Sequence, residues 1–224
     1  MTSASPALPV GDTAFELIET IRIEPGHHAP LLAGHWRRLE HSCKALGYGW
    51  PQLELEHAVK ARIATLDVRH SHRLRLLVGP NQRYSLESSV LPPTAEPVQL
   101  WLAPTPLQAD PFWLQHKTTH RPWYEQDKVW LDQHPDFFDV LHCNADDEVC
   151  EGSRSNVYIR DAAGRWLTPP LKTGLLPGVQ RQALLDAGLV HEACIRRHDL
   201  THAPAIRVSN ALRGWLDATL GALF

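Results

Sequence analysis

The spacing of apolar residues along the chain predicts a mixture of strands and helices. The segment Phe15–Glu24 is rich in apolar and β-branched residues and ends at Pro25-Gly26, so we expect a strand and a turn there. Further on, apolar residues recur at steps of four, three, four and three positions, which is the spacing of one helix face, and Gly47 ends the pattern. The members of that face are Leu32, Trp36, Leu39, Cys43 and Leu46.

The rest of the chain continues this mixture. We predict strands at Arg73–Val78, Val98–Ala103, Phe137–Asn144, Ser155–Asp161 and Ala205–Asn210. We predict helices at Leu53–Leu66, at Tyr124–Gln133, from Pro177 to a stop at Gly188, and at Leu212–Leu223, with a loop over Leu167–Gly178. Because strands and helices are mixed throughout, the fold class is α/β or α+β.

The placement of these elements predicts two subdomains. We expect an N-terminal α+β subdomain over residues 1–106, a linker at 107–111 and a second subdomain over 112–224. Residues 1–10 contain prolines but no predicted element, and we expect a mobile lead-in there.

Composition and charge exclude several classes of protein. Hydrophobic residues make up 43% and charged residues 21% of the chain, as in a globular protein, and the net charge is −3. A nucleic-acid surface needs a basic excess, and a membrane span needs an apolar run of ~18 residues; neither is found. The first residues lack the pattern of a signal peptide, and the four cysteines are scattered without a Cys-x-x-Cys pair. We therefore expect a cytoplasmic protein with reduced thiols.

The 14 histidines raise the question of a metal site. The segment His191–His198 superficially resembles a zinc motif, but its histidines do not have the spacing that places two ligands on one helix face. We therefore predict exposed histidines and no bound metal.

Two segments contain residues suited to carbonyl and amine chemistry. Lys117 lies between the apolar stretch Asp110–Gln115 and two threonines, and burial there would lower the pKa of its amine and make it a nucleophile. Taken alone, such a lysine is more often exposed. Glu151 precedes a Gly-Ser-Arg-Ser-Asn turn, where a carboxylate is placed to pair with a cationic nitrogen heterocycle. The alternative interpretation of Glu151 is an acidic residue that is exposed to solvent in a turn.

Two turns are candidates for holding a phosphate. In Leu175–Arg181 a Pro-Gly turn leads into a helix, whose free N–H groups near Val179 and Gln180 suit an anion. In Val208–Gly214 a strand ends in small polar residues. Each turn alone is more often an ordinary chain reversal.

The order of these segments carries more information than any one of them. Lys-Thr, then Glu-Gly-Ser-Arg-Ser-Asn, then Thr-Pro-Pro and Leu-Leu-Pro-Gly-x-x-Arg, then Asn-Ala-Leu-Arg-Gly resembles the signature series of the fold-type IV enzymes that use pyridoxal 5'-phosphate (PLP). The opening Phe-Glu-Leu-Ile-Glu-Thr-Ile-Arg and the later His-Trp-Arg-Arg-Leu-Glu-His-Ser are similar to the start of that family as well. The resemblance extends from about Phe15 to about Leu220.

The resemblance implies a role for each matching residue. Lys117 matches the catalytic lysine that bonds PLP covalently and transfers protons, and Glu151 matches the partner of the pyridine nitrogen. Five further positions match the residues that bind the cofactor's phosphate: Arg38, Val179, Gln180, Asn210 and Ala211. The family often has threonine where Gln180 and Ala211 stand, so hydroxyl contacts would be replaced there by amide or backbone contacts. The residues 112–224 would then form the PLP-binding subdomain.

Within this class the chain is most similar to 4-amino-4-deoxychorismate lyases. By that resemblance it would convert 4-amino-4-deoxychorismate to 4-aminobenzoate and pyruvate, a step of folate synthesis. The substrate carries two carboxylates, so we expect cationic donors in the pocket, with Arg121 as the first candidate. Arg22 is the second, with Thr20 beside it on the same face of a strand. Structural ion pairs are the alternative for both arginines.

Two other functions remain open at this stage. An aminotransferase of branched-chain or other amino acids would share Lys117 and Glu151. A non-catalytic PLP-binding protein is the other alternative, which the joint presence of these two residues disfavours. The resemblance also implies a homodimer, a small-molecule substrate and a functional link to aminodeoxychorismate synthase.

Overall fold

The computed structural model of the protein describes residues 15–221. The proposed lead-in at residues 1–10 lies outside the described residues. Strands and helices alternate, so the mixed α/β class predicted from the sequence is confirmed. Within the described residues, no helix is long and apolar enough to cross a membrane.

The first part of the chain forms a small antiparallel sheet covered by two helices. The sheet has the order β1-β2-β3, with β1 at Leu17–Ile23, β2 at His72–Val78 and β3 at Tyr84–Val90. Helices α1 (Leu32–Leu46) and α2 (Gln52–Ala64) pack on one face. The predicted face of α1 supplies Leu39, Cys43 and Leu46 to this core, and the left-handed Gly47 ends the helix.

Within residues 15–221, the second sheet has eight strands in the order β6-β5-β4-β11-β10-β7-β8-β9. Their bounds are β4 Val98–Leu102, β5 Phe137–Cys143, β6 Val149–Gly152, β7 Asn156–Arg160, β8 Trp166–Thr168, β9 His191–Glu192, β10 Ile206–Asn210 and β11 Gly214–Leu220. The helices of this part are α3 Pro111–Leu114, α4 Glu125–Gln133, α5 Val179–Asp186 and α6 Arg197–His202. Strand β4 precedes the predicted linker at 107–111 but pairs within this second sheet.

The closing helix predicted at Leu212–Leu223 is wrong in its described part, which forms β11. Leu216 and Ala218 are buried while Asp217 and Thr219 are exposed, which is the two-residue period of a strand. Antiparallel pairing with β10 and parallel pairing with β4 hold this segment inside the sheet. These distant pairings override a local pattern that also suited a helix.

The sequence prediction also omitted short elements. Strands β3, β6, β8 and β9 and helices α3 and α6 were not expected, and the end of β8 falls in the predicted loop. The predicted start of α5 at Pro177 is two residues early, because Gly178 is the N-cap.

Candidate active site

A cavity of about 680 Å³ lies between the two sheets and is lined from both sides. Strand β1 contributes Thr20 and α1 contributes Arg38. The second part of the chain contributes further charged or polar side chains, among them Lys117, Arg121, Glu151, Arg154, Asn210 and Arg213. Residues 92–95 and 97, in the segment that connects the two sheets, line another part of the wall.

Strand β1 positions Lys117. The Lys117 carbonyl accepts a hydrogen bond of 2.8 Å from the Ile18 N–H, and the Thr119 N–H donates to the Glu16 carbonyl, also at 2.8 Å. This short pairing places the lysine side chain in the cavity. Burial, and then the positive charges of Arg121 and Arg38, lower the pKa of Lys117 to about 7. Its amine is therefore substantially neutral, and nucleophilic, at neutral pH.

Glu151 is a buried carboxylate on the same cavity, at β6. One oxygen accepts a 2.9 Å hydrogen bond from the Tyr124 hydroxyl, and the other accepts a 3.0 Å bond from the Leu176 N–H. Burial raises the pKa of Glu151 to about 7, even though these donors, Arg121 and Lys117 oppose the rise. A cation placed beside this carboxylate would favour its ionised form.

Asp139 shapes the Gly-Ser-Arg-Ser-Asn turn that follows Glu151. Its buried carboxylate accepts hydrogen bonds from the hydroxyls of Ser153 and Ser155 at 2.7 and 2.5 Å, and from the Arg154 N–H at 3.2 Å. A Cβ atom on Gly152 would lie 2.2 Å from the Asp139 carboxylate, so only glycine fits there. The sequence analysis missed Asp139, because nothing local in β5 links it to this turn.

Arg38 is held by a buried network on the cavity wall. Two of its guanidinium nitrogens donate to Glu19 at 2.9 and 2.6 Å, and the same carboxylate lies 2.6 Å from the Nδ1 atom of His35. Burial alone would raise the pKa of Glu19, but Arg38 and His35 outweigh it and lower that pKa to about 2. The third nitrogen of Arg38 faces the Pro177 carbonyl at 3.5 Å, at the start of α5.

The N-terminus of α5 faces the cavity through Gly178 and Val179. Gly34 on α1 allows this approach, since a Cβ atom there would lie 2.6 Å from Val179. Asn156 fixes the other side by donating to the Leu176 carbonyl at 3.0 Å. The first N–H groups of a helix have no partner within the helix and carry partial positive charge, so this end suits an anion.

Asn210 builds the turn between β10 and β11. Its side-chain oxygen accepts hydrogen bonds from the N–H groups of Leu212 and Arg213 at 3.1 and 2.8 Å, and its amide donates to the Arg154 carbonyl at 3.2 Å. Asn210 and Ala211 thereby lie on the cavity wall, as does Arg154.

The cavity brings together eight of the residues that the sequence analysis named and leaves two outside its lining. The eight are Thr20, Arg38, Lys117, Arg121, Glu151, Val179, Asn210 and Ala211. Gln180 follows Val179 on α5, and Arg22 lies on β1 within 3.6 Å of Glu24. The sequence analysis did not assign Tyr124, Glu19, Asn156 or Arg213 to the site, because their partners lie 19 to 121 positions away in the sequence.

These groups fit PLP, which combines a phosphate with a ring nitrogen and an aldehyde. A helix start and Arg38 offer donors for the phosphate, the buried Glu151 suits a protonated nitrogen, and the amine of Lys117 suits the aldehyde. Gly178 keeps the helix start close to Asn156, since a Cβ atom there would lie 1.9 Å from the amide oxygen.

Comparison with known proteins identifies the class to which this fold and site belong. Residues 16–220 match the family model described as amino-transferase class IV, so the chain belongs to that family. Enzymes of this family depend on PLP, and PLP is accordingly the cofactor of this protein. The resemblance to fold-type IV enzymes is confirmed.

Individual relatives carry names of two kinds. A structure from Mesorhizobium loti named "Putative amino-acid aminotransferase" is 34% identical, covers 92% of this chain and 100% of its own, and has a TM-score of 0.83. A curated protein of Schizosaccharomyces pombe named "Putative aminodeoxychorismate lyase" is 27% identical over 188 residues, which are 82% of this chain and 80% of that protein. A structure from Legionella pneumophila named "Putative 4-amino-4-deoxychorismate lyase" is 21% identical, covers 92% and 82% of the two chains with a TM-score of 0.74, and supports the fold alone.

Proposed function

We propose that the protein is a PLP-dependent lyase that converts 4-amino-4-deoxychorismate to 4-aminobenzoate and pyruvate. The observation that carries this proposal is the charge of the cavity. Arg38, which is paired with Glu19, and Arg154, whose Nε atom lies 4.0 Å from Asp139, already have carboxylate partners, and the lining contains two further arginines, Arg121 and Arg213. Two guanidinium groups exceed what one amino-acid carboxylate needs and suit a substrate with two carboxylates. The name of the Schizosaccharomyces pombe relative agrees with this reaction.

Lys117 is the proposed catalytic residue. With a pKa near 7, its amine is available both as a nucleophile and as a base at neutral pH. PLP, when bound, withdraws electrons from the substrate carbon that bears the amine. Lys117 Nζ takes the proton from that carbon and, once protonated, supplies a proton to the departing enolpyruvate, which becomes pyruvate. Loss of enolpyruvate makes the ring aromatic, and this drives the reaction forward.

Glu151 is the proposed partner of the cofactor's ring nitrogen. Its two oxygens are oriented by Tyr124 and by the Leu176 N–H, so the carboxylate cannot turn away from the cavity without losing a hydrogen bond. A carboxylate in this position keeps the nitrogen protonated, and protonation is what allows the ring to accept electrons.

The phosphate of the cofactor would bind at the end of the cavity formed by Arg38, the start of α5 and the turn between β10 and β11. The N–H groups of Val179 and Gln180 at the start of α5 and those at Asn210 and Ala211 would donate to the phosphate oxygens. Gln180 does not line the cavity, so it would contribute its backbone N–H rather than its side chain.

Arg121 is the proposed donor to the substrate carboxylate nearest the reacting carbon. It donates to the Ser153 carbonyl at 2.6 Å and lies 4.6 Å above the ring of Tyr124, which fixes its guanidinium beside Lys117 and Glu151. Thr20 lines the cavity from β1, and Arg22 follows it on the same face of that strand.

An aminotransferase is the second candidate. The observation in its favour is the Mesorhizobium loti structure, whose name is that of an amino-acid aminotransferase and which is 34% identical to this chain. Lys117 and Glu151 would serve that reaction equally well, so the two candidates share these residues and differ in the substrate that the cavity accepts and in the step that follows proton removal.

The deciding experiment supplies PLP-loaded protein with 4-amino-4-deoxychorismate, formed in situ from chorismate and an amine source. Lyase activity releases pyruvate and 4-aminobenzoate in equal amounts, and a Lys117→Ala variant releases neither. If the wild-type protein bonds PLP but releases no product, and transfers an amino group from an amino acid to a keto acid, the aminotransferase is the correct function. Failure of both reactions in PLP-bonded protein would support the non-catalytic alternative.

A homodimer and a functional link to aminodeoxychorismate synthase complete the proposal. Both follow from the resemblance to fold-type IV lyases. Light scattering of the PLP-loaded protein tests the first, and faster product formation when the synthase is added to the assay tests the second.

A further inference from the structure

Three arginines lie on or beside one part of the cavity wall. Arg213 lines the cavity from the turn before β11 and donates to the Pro92 carbonyl at 2.7 Å. Arg22 and Thr20 share one face of β1, and Thr20 pairs directly with Arg75 on β2. The three-stranded sheet therefore presents Arg22 and Arg75 on the face where Thr20 reaches the cavity.

One of these guanidinium groups has a buried donor without a partner. The Nε atom of Arg75 is inaccessible to solvent and forms no hydrogen bond within residues 15–221, and the Nε atom of Arg22 also forms no hydrogen bond there, although it lies 3.6 Å from Glu24. Polar atoms that are buried without a partner cost free energy, and a bound acceptor would remove that cost.

Nearby negative charge is too sparse to neutralise this group of arginines. Glu24 lies 3.6 Å from Arg22, but neither Arg75 nor Arg213 forms an ion pair with a carboxylate in the described part of the chain. Glu87 is the register partner of Arg75 on β3 and is exposed. Burial, and then the positive charge of Arg22, lower the pKa of Arg213.

Arg121 occupies a different position. Arg121 lines a smaller pocket together with Lys117 and Glu151. Arg213 does not line that smaller pocket and instead contacts the segment between the two sheets, at Pro92.

We propose that Arg213 and Arg22, supported by Arg75, form a second anion site that binds the substrate carboxylate most distant from the reacting amine. This inference rests on the proposed function, because it identifies the two substrate carboxylates with two separate groups of arginines. Arg121 takes the nearer carboxylate, and the Arg213 site takes the ring carboxylate. A monocarboxylic amino acid would leave the Arg213 site without an anion.

The test measures binding of 4-hydroxybenzoate and its neutral analogue 4-hydroxybenzamide to the PLP-loaded protein by calorimetry. We expect the wild-type protein to bind the acid at least tenfold more tightly than the amide, since charge-assisted hydrogen bonds are the stronger kind. The Arg213→Gln variant should lose that preference and keep its affinity for the amide, while Arg213→Lys should retain part of it. Arg69→Gln, which removes an exposed arginine paired with Asp67, is the control and should behave as wild type.

Two results would overturn the site. One is an equal affinity of the wild-type protein for acid and amide, and the other is a preference that survives in Arg213→Gln and in Arg22→Gln but disappears in Arg121→Gln. The calorimetric measurement follows binding and needs no turnover, so its outcome does not depend on which reaction the protein catalyses. If the preference depends on Arg213 but 4-amino-4-deoxychorismate releases no pyruvate, the anion site stands and the proposed lyase does not.

Discussion

At the scale of single residues, two buried groups have pKa values displaced toward neutrality from opposite directions. Burial lowers the pKa of Lys117 to about 7 and raises that of Glu151 to about 7. Such displaced values in one cavity are typical of catalytic sites. A cofactor with a protonated ring nitrogen beside Glu151 would lower the pKa of this carboxyl group, because a nearby cation favours the carboxylate form.

The first prediction concerns the pH dependence of cofactor attachment. Only the neutral amine of Lys117 attacks an aldehyde, so the rate of covalent PLP attachment should rise about tenfold per pH unit below pH 7 and level off above it. Stopped-flow absorbance between pH 5.5 and 10 measures this rate. A rate that keeps rising to pH 10 would show that Lys117 has the ordinary pKa of a lysine.

A second prediction separates the role of Glu151 from that of Lys117. In Glu151→Gln the lysine remains, so PLP should still attach, but turnover should fall by roughly a hundredfold or more because an amide does not hold a proton on the ring nitrogen. The spectrum of the bound cofactor and the rate of pyruvate release are measured on the same sample. Glu125→Gln, an exposed carboxylate at the start of α4, is the matched control. Equal turnover in the two variants would contradict the assigned role.

At the scale of elements, the site depends on where α5 begins. Gly178 is the N-cap, and its small size lets Asn156 approach the chain just before Val179. Gly34 gives the same freedom on the side of α1. The helix start is therefore held between two tight contacts, and its N–H groups gain a defined direction.

The third prediction is a loss of cofactor affinity in Gly178→Ala. The added Cβ atom would overlap the Asn156 amide oxygen at 1.9 Å, so the start of α5 must shift, and the Kd for PLP should rise about tenfold or more. Equilibrium dialysis of PLP measures it. Gly79→Ala is the control, because its Cβ atom would lie at an ordinary 3.6 Å from the Arg83 carbonyl. Unchanged affinity in Gly178→Ala would argue against a phosphate at this helix.

At the scale of the whole molecule, the network of Glu19, His35 and Arg38 ties β1 to α1 and, through Pro177, to α5. The two sheets also meet where β1 pairs with the segment of Lys117. The cofactor's cavity is thus formed only when both sheets are assembled. Loss of the network of Glu19, His35 and Arg38 would therefore weaken the packing that forms the site.

The fourth prediction is a pH-dependent stability carried by Glu19. Its folded pKa of about 2 lies below the ordinary 4.5, so the unfolded chain binds the additional proton. The contribution of Glu19 is complete above pH 4.5 and is lost as the pH falls toward 2, by roughly 3 kcal/mol in total. Urea unfolding from pH 2.5 to 6 measures it. Glu19→Gln should show a flatter profile than Glu54→Gln, an exposed control on α2; parallel profiles would refute the assignment.

The sequence by itself determined the family of the chain and most of the local structure. The ordered motifs identified the family and predicted roles for Lys117 and Glu151, and the apolar period of α1 and its end at Gly47 were readable because both are local properties. Several residues of the site were named in the same way, since each stands in a short motif that retains its order along the chain.

Only the tertiary structure decided what depends on contacts between distant segments. The segment Gly214–Leu220 becomes a strand because β10 and β4 pair with it, and Asp139 shapes the turn after Glu151 from another strand. Arg213 donates to the Pro92 carbonyl although the two residues are 121 positions apart in the sequence. Hydrogen-bond partners and charges across such separations leave no periodic trace in the sequence, because they are set by packing of whole sheets.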